Sequence, residues 1–200
     1  MEKTMLAPGI FVYHNVIPGY ENIINDIESV VALDSRVVQW SPATVRTGDS
    51  EGVYSDQRDT MSIGIPYLRN EVEDLSHPRK AFETALSSLF LKSFGPIEKD
   101  YQDMHGVVFS GHDSYGILKY GVGQKFTNHI DDHPSFPRRI SMVYYLNEDY
   151  SGGEINFPRF GISYKPRANE ALLFPSTFVY NHSVSEVTEG TRYAVVSWIL

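Results

Sequence analysis

The 200-residue chain contains no cysteine. That absence excludes disulfides, iron–sulfur clusters and thiolate zinc sites. Long apolar runs are also lacking, and no stretch approaches the roughly 18 residues of a membrane-spanning helix. The opening "MEKTMLAPGIFVYHN" has neither the basic start nor the apolar run of a secretory signal. The expected address is cytoplasmic, with no membrane partner. Positive charge is scarce too: 17 Lys and Arg stand against 25 Asp and Glu, for a net charge of −8. A protein whose main task is to grip nucleic-acid phosphates needs the opposite balance, so no nucleic-acid partner is expected. The chain has no internal repeat, low-complexity tract or obvious linker. Its length suits one substantial core and is small for two, so 1–200 reads as a single domain.

What the chain does have is aromatic residues, with 13 Tyr and 11 Phe. Such side chains suit sheets and deep pockets. Up to about residue 105 the pattern is mixed. "IFVYHNVI" (10–17) reads as a strand closed by Pro18-Gly19. Ile23, Ile24, Ile27, Val30 and Val31 recur at helical spacing. Residues 41–60, "SPATVRTGDSEGVYSDQRDT", are polar and turn-rich, and read as a long loop or loose hairpin. A second helix is expected from Pro78 to about Ser93, with Phe82, Ala85, Leu86, Leu89 and Phe90 on its apolar face. Gly95-Pro96 should end it. Beyond about residue 105, short β-like runs alternate with turn signals. That spacing predicts an antiparallel sandwich or barrel, and so an α+β, mainly β, chain.

One stretch of the β half, "FTNHIDDHP" (126–134), concentrates two histidines and two aspartates. If "KFTNHID" is a strand, period-two alternation places His129 and Asp131 on one face and Asp132 on the other. His133 would share the face of His129, but Pro134 should turn the chain there. The only later histidine is His182, in the β-like run "FVYNHSV". Two imidazoles and a carboxylate with open positions suit non-haem Fe(II) oxygenases. Zinc hydrolases use the same donors, so the ligand set alone does not select iron.

Arg192 follows His182 by ten positions, on what should be the next strand of a hairpin turned by "TEG". A guanidinium in an aromatic pocket needs an anionic partner, because an unpaired buried charge is costly. A dicarboxylic cosubstrate would reach the metal with one end and this arginine with the other.

Several stretches carry a resemblance to a known family: "YGVGQKFTNHID", "RRISMVYYLNEDYSGGEINFP", "EALLFPS" and "NHSVSEVTEGTRYAVVSWIL". Together they span roughly residues 115–200, and "YYLN…GGE…FP" is more specific than His-x-Asp. The chain resembles the Fe(II)/2-oxoglutarate-dependent dioxygenases, and among them the prolyl 4-hydroxylase-like branch. The resemblance implies a double-stranded β-helix, a cupin-like jelly roll, over 106–200. Residues 1–105 would supply N-terminal flanking helices, a supporting strand and a substrate loop. It further implies an iron triad of His129, Asp131 and His182, with Arg192 as partner of the distal carboxylate of 2-oxoglutarate. Tyr145 matches a tyrosine bonded to that carboxylate, and Tyr120 one that lines the cosubstrate pocket. Arg138 and Trp198 match positions near bound substrate. Loop 41–60, with Arg46, Tyr54 and Arg58, is the candidate substrate cover.

The implied activity is hydroxylation of a C–H bond, on prolyl residues of a peptide or protein. It would use Fe(II), 2-oxoglutarate and O2, with ascorbate as reductant, and would yield succinate and CO2. Two departures weaken the transfer of substrate identity. Collagen-type relatives carry lysine where Arg192 stands, and Phe126 replaces a tyrosine found three residues before the first ligand in some members. Two alternatives stay open: a hydroxylase of a free amino acid or other small molecule, and a non-catalytic β-sandwich that binds metal or ligand. Tyr120, Tyr144, Tyr145 and Trp198 would also serve as ordinary sheet aromatics.

Overall fold

The structure is a computed structural model that describes residues 1–47, 50–67, 77–133 and 137–200, with the side chains of 46–51 left aside. In chain order the elements begin with a hairpin of β1 (Lys3–Ala7) and β2 (Ile10–Tyr13), followed by helix α1 (Ile23–Leu33). Four short strands follow: β3 (Ser41–Pro42), β4 (Val45–Thr47), β5 (Ser50–Gly52) and β6 (Met61–Ile65). Helix α2 (Pro78–His105) leads into β7 (Tyr115–Tyr120), β8 (Phe126–His129) and β9 (Ile140–Tyr145). Then come β10 (Ser151–Gly152), β11 (Ile155–Phe157), β12 (Ile162–Tyr164) and β13 (Glu170–Pro175). The last strands are β14 (His182–Val184), β15 (Val187–Glu189) and β16 (Arg192–Ile199).

Two antiparallel sheets carry the architecture. One has eight strands in the order β1-β2-β13-β9-β16-β7-β6-β3, the other four in the order β12-β11-β14-β8. Period-two alternation assigns the two faces of the larger sheet. On β9, Val143 and Tyr145 point into the space between the sheets, where Ile155 and Phe157 of β11 and Val184 of β14 meet them. Met142 and Tyr144 point the other way, onto the helices, among Ile23, Ile27, Phe90, Phe94 and Tyr101. The central strands are apolar on both faces because both faces are covered.

Helix α2 corrects the sequence reading. It continues through Gly95-Pro96 to His105 and stops at Gly106, whose left-handed φ of 63° lets its N–H reach the Gln102 carbonyl. A proline inside a helix costs about 3 kcal/mol. Phe90 and Phe94 before it, and Ile97 and Tyr101 after it, are fully buried on one face. Each such side chain contributes roughly 1.5–3 kcal/mol, so four of them outweigh the proline. Ala85, expected on the apolar face, is exposed. Glu83 and Ser87 are buried instead, and Glu83 accepts a 2.7 Å bond from Arg79.

The strand expected over 10–17 ends at Tyr13, and Asn15 takes a left-handed φ of 54°. The polar stretch 41–60 holds the β4–β5 hairpin; its tip at 48–49 lies outside the described residues, as does Pro134. Among the described residues no helix is long and apolar enough to cross a membrane.

Candidate metal centre

The smaller sheet sets the two histidines side by side. On antiparallel neighbours β8 and β14, His129 is the register partner of His182, and their rings lie 4.2 Å apart. Strand β8 stops at His129, so Asp131 arrives from irregular chain rather than from the strand the spacing suggested. The following residue ties that chain down: the Asp132 N–H donates to the Ser176 carbonyl at 3.0 Å. The outcome of the alternation argument survives the shorter strand. Asp131 is buried and Asp132 exposed. The Asp131 carboxylate sits 3.6 Å from Nε2 of His129 through one oxygen and 3.6 Å from Nε2 of His182 through the other. One donor atom from each residue lies within 4.8 Å of the other two.

Hydrogen bonding fixes the tautomers. Nδ1 of His129 contacts the Thr127 carbonyl at 2.8 Å, and Nδ1 of His182 the Tyr180 carbonyl at 3.1 Å. A carbonyl only accepts, so each Nδ1 carries the proton and each Nε2 turns a free lone pair inward. Burial, and then the neighbouring His182, push His129 down to about 3, which keeps it in the neutral form that ligates metals. Burial alone would raise Asp131. The imidazoles of His182 and His129 outweigh it, helped by the Ser141 hydroxyl and the Trp198 indole, and hold the carboxyl at about 2. Ser141 Oγ donates to Asp131 at 2.6 Å and also contacts Ser176 Oγ at 2.8 Å. Phe126 stacks on His129 with ring centroids 3.5 Å apart, and Phe174 meets the His182 ring edge-on at 4.7 Å.

A cleft of about 440 Å³, counting its part open to solvent, joins this cluster to Arg192. Its walls also include Arg58, Tyr120, Phe126 and Trp198. Arg192 reaches the cleft differently from the sequence expectation. Its strand β16 pairs with β7 and β9 in the larger sheet, whereas His182 lies in the smaller one. The "TEG" turn is the exit from β15, which pairs with β10. The guanidinium therefore faces the imidazoles across the sandwich rather than along a hairpin. It is fully buried, and among the described residues no carboxylate pairs with it. It lies 4.8 Å from the Tyr120 ring and 5.2 Å from the Tyr145 ring. Among the described residues its Nε and Nη1, and the Tyr145 hydroxyl, make no well-formed hydrogen bond, although the guanidinium is near enough to act weakly on the Tyr145 and Tyr150 hydroxyls.

The other sequence-selected residues are distributed unevenly. Trp198 lines the cleft, and Arg138, which does not, stacks on its ring at 3.6 Å and donates to Asp113 at 3.0 Å. Arg58 sits 5.0 Å over Phe126 and donates to the Thr44 carbonyl. Tyr54 is exposed and does not line the cleft. Sequence reasoning missed Ser141, Asp113 and Tyr150. Gly152 is a point of close backbone approach: a Cβ on it would meet the Glu186 carbonyl at 2.1 Å.

The donor set suits ferrous iron: two neutral imidazole nitrogens, one carboxylate and no thiolate. An unpaired buried guanidinium in the same cleft suits an anionic ligand. Comparison with known proteins agrees. Residues 115–200 match the 2OG-Fe(II) oxygenase superfamily. A PKHD-type hydroxylase of Prochlorococcus marinus (strain NATL1A) is 35% identical over 102 residues, covering 48% of this chain and 42% of that protein. A probable prolyl 4-hydroxylase 9 of Arabidopsis thaliana is 32% identical over 116 residues, covering 44% and 40%. The matches thus span about two fifths of these relatives' length.

Two solved structures have the same fold. One is a Trichoplax adhaerens prolyl hydroxylase in complex with a hypoxia inducible factor oxygen degradation domain peptide fragment. Its TM-score is 0.66 at 16% identity, covering 96% of this chain and 83% of that one. The other is a Pseudomonas putida prolyl-4-hydroxylase, with a TM-score of 0.64 at 18% identity, covering 96% and 92%. The sandwich is a double-stranded β-helix. Residues 115–200 are thus similar to the 2OG-Fe(II) oxygenase superfamily, and the matching relatives are hydroxylases of the prolyl 4-hydroxylase kind. The family's cofactors are ferrous iron, 2-oxoglutarate and O2.

Proposed function

We propose that this chain hydroxylates prolyl residues of a peptide or protein, coupling that step to conversion of 2-oxoglutarate into succinate and CO2. One observation carries the reading. Two lone-pair nitrogens and a carboxylate converge at one end of a cleft that also holds a buried guanidinium with no counter-ion among the described residues. In this reading His129, Asp131 and His182 hold Fe(II). Arg192 takes the distal carboxylate of 2-oxoglutarate, with Tyr145 and Tyr120 beside it. Iron, when bound, supplies the activation of O2 and the oxidising step, which belong to the cofactor rather than to the chain.

The chain's own residues perform positioning. The Thr127 and Tyr180 carbonyls orient the two imidazoles, and Ser141 orients the carboxylate. Phe126, Phe157 and Phe174 keep water from the histidine rings. Trp198, with Arg138 stacked on it, forms the wall against which substrate is held, with Arg58 at the rim; the 41–60 hairpin, bearing Tyr54, covers it. The peptide partner is supported by the Trichoplax enzyme, whose structure contains a peptide. Organisation as one domain, with 1–105 supporting the jelly roll of 106–200, and a cytoplasmic address belong to the same proposal.

The test is anaerobic loading with Fe(II), then succinate release on adding 2-oxoglutarate, O2 and ascorbate. Release stimulated by proline-containing peptides, with one oxygen atom gained on proline by mass spectrometry, is the expected result. Stimulation by free proline and not by peptides would move the substrate to small molecules. No succinate above the level of an Asp131→Ala control would leave a ligand-binding sandwich.

A further inference from the structure

Behind Arg192, which lines the cleft, stands one more donor than this reading uses. Tyr150 lies between β9 and β10 and is buried. The Arg192 guanidinium is near enough to act as a weak donor to its hydroxyl and to that of Tyr145, but among the described residues neither phenol, nor Nε or Nη1 of Arg192, makes a well-formed hydrogen bond. These groups are electrostatic neighbours: the Arg192 charge acts on both phenols, and Tyr150 on Tyr145. Burial raises both phenols, so each keeps its O–H. Four buried donors without a well-formed acceptor thus gather at one place. A carboxylate offers two oxygens with about four lone-pair sites, whereas a carbonyl offers one oxygen with two.

The surrounding backbone is arranged to hold Tyr150 there. Gly153 has φ +67°, and a Cβ on it would lie 2.9 Å from both Arg192 Cδ and Tyr150 Cε2. Glycine at that position is what allows the two side chains to close on each other. From another direction Lys165 places Nζ 3.4 Å from the centre of the Tyr150 ring and donates to the carbonyls of Tyr150 and Gly152 at 2.8 and 2.6 Å. Lysine, glycine and arginine together fix the phenol.

We propose that Tyr150 is a second phenolic donor to the distal carboxylate of 2-oxoglutarate, completing a socket of Arg192, Tyr145 and Tyr150 that selects a 2-oxo dicarboxylic acid. This rests on the assignment of Arg192 to that carboxylate.

Tyr150→Phe deletes one hydroxyl and keeps the ring under Lys165. Binding isotherms on the Fe(II)-loaded protein, measured without oxygen, read the effect independently of turnover. Affinity for 2-oxoglutarate is expected to fall about ten- to hundredfold, the scale of a hydrogen bond to a charged group. Affinity for pyruvate, which has no second carboxylate, and for Fe(II) should stay unchanged. A loss below threefold for 2-oxoglutarate, or an equal loss for pyruvate, overturns the proposal. Arg192→Met separates the two levels: if it weakens 2-oxoglutarate and Tyr150→Phe does not, only the Tyr150 role fails. If Arg192→Met has no effect either, the socket itself is misassigned. Melting temperatures without cosubstrate, equal for Tyr150→Phe and the parent chain, confirm that the difference lies in binding.

Discussion

Replacing Arg192 by methionine should make the ligand-free protein more stable and at the same time remove most of its hold on 2-oxoglutarate. The guanidinium is 1% exposed and has no carboxylate beside it among the described residues. Burial of an ion costs several kcal/mol even after relaxation. The rings of Tyr120 and Tyr145, at 4.8 and 5.2 Å, return up to roughly 2 kcal/mol each, and two donor nitrogens still lack well-formed acceptors. Methionine fills a similar volume without charge. A gain of about 1–4 kcal/mol in the ligand-free state follows, by analogy with buried charges replaced by apolar side chains. For a chain of this length that raises Tm by roughly 2–4 °C per kcal/mol.

With cosubstrate the sign reverses. Loss of one partner from a buried charge pair costs about 2–5 kcal/mol, or roughly thirty- to several-thousand-fold in Kd. Urea denaturation without ligand, paired with calorimetric titration of 2-oxoglutarate into the Fe(II) form, measures both halves. A ligand-free variant destabilised by 2 kcal/mol or more would show that Arg192 is a structural element of the core. Unchanged affinity would refute its binding role.

Four further outcomes are expected. Ser141→Ala removes the 2.6 Å bond to Asp131 and should weaken Fe(II) binding about ten- to hundredfold, read by metal titration, whereas Asp132→Ala at the exposed neighbour should not. Gly153→Ala forces a Cβ against Arg192 and Tyr150 at positive φ; a stability loss of at least about 1–2 kcal/mol, with weaker 2-oxoglutarate binding, is expected in denaturation and calorimetry. Pro96→Ala restores an N–H inside α2 and should stabilise the fold by about 1–3 kcal/mol in urea.

The fourth concerns pH. Burial alone would raise Glu28, but bonds from Lys119, Tyr193 and Trp40 outweigh it and lower its folded-state pKa. Its contribution is therefore complete above the unfolded value near about 4.3 and lost as pH falls through the lower folded value. Glu28→Gln should reduce stability at pH 7 by about 1 kcal/mol and flatten the decline on acidification below about pH 4.3, as followed by denaturation at a series of pH values.

Comparing residues shows where sequence pattern sufficed and where it did not. Asp131 was separable from Asp132 because alternation of burial outlasts the strand: β8 ends at His129, yet Ile130 is exposed, Asp131 buried and Asp132 exposed. Tyr145, singled out by the resemblance, faces the sandwich interior, while its neighbour Tyr144 faces the helices. Gly95-Pro96 misled because local helix penalties say nothing of the face that α2 buries. Arg192 misled in route. A ten-residue separation suggests a hairpin, while β15 diverts the chain and β16 joins the other sheet.

The sequence by itself determined the donor inventory. With no cysteine, and few histidines in the β half, any metal there had to use imidazole and carboxylate, and the period of the strands chose which ones could share a face. Tertiary structure alone decided what surrounds those donors. Ser141 reaches Asp131 from β9, and Tyr150 meets the distant Arg192 beside Gly153. Such pairings depend on how two sheets stack, and side chains brought together across a sandwich leave no spacing in the chain that would reveal them.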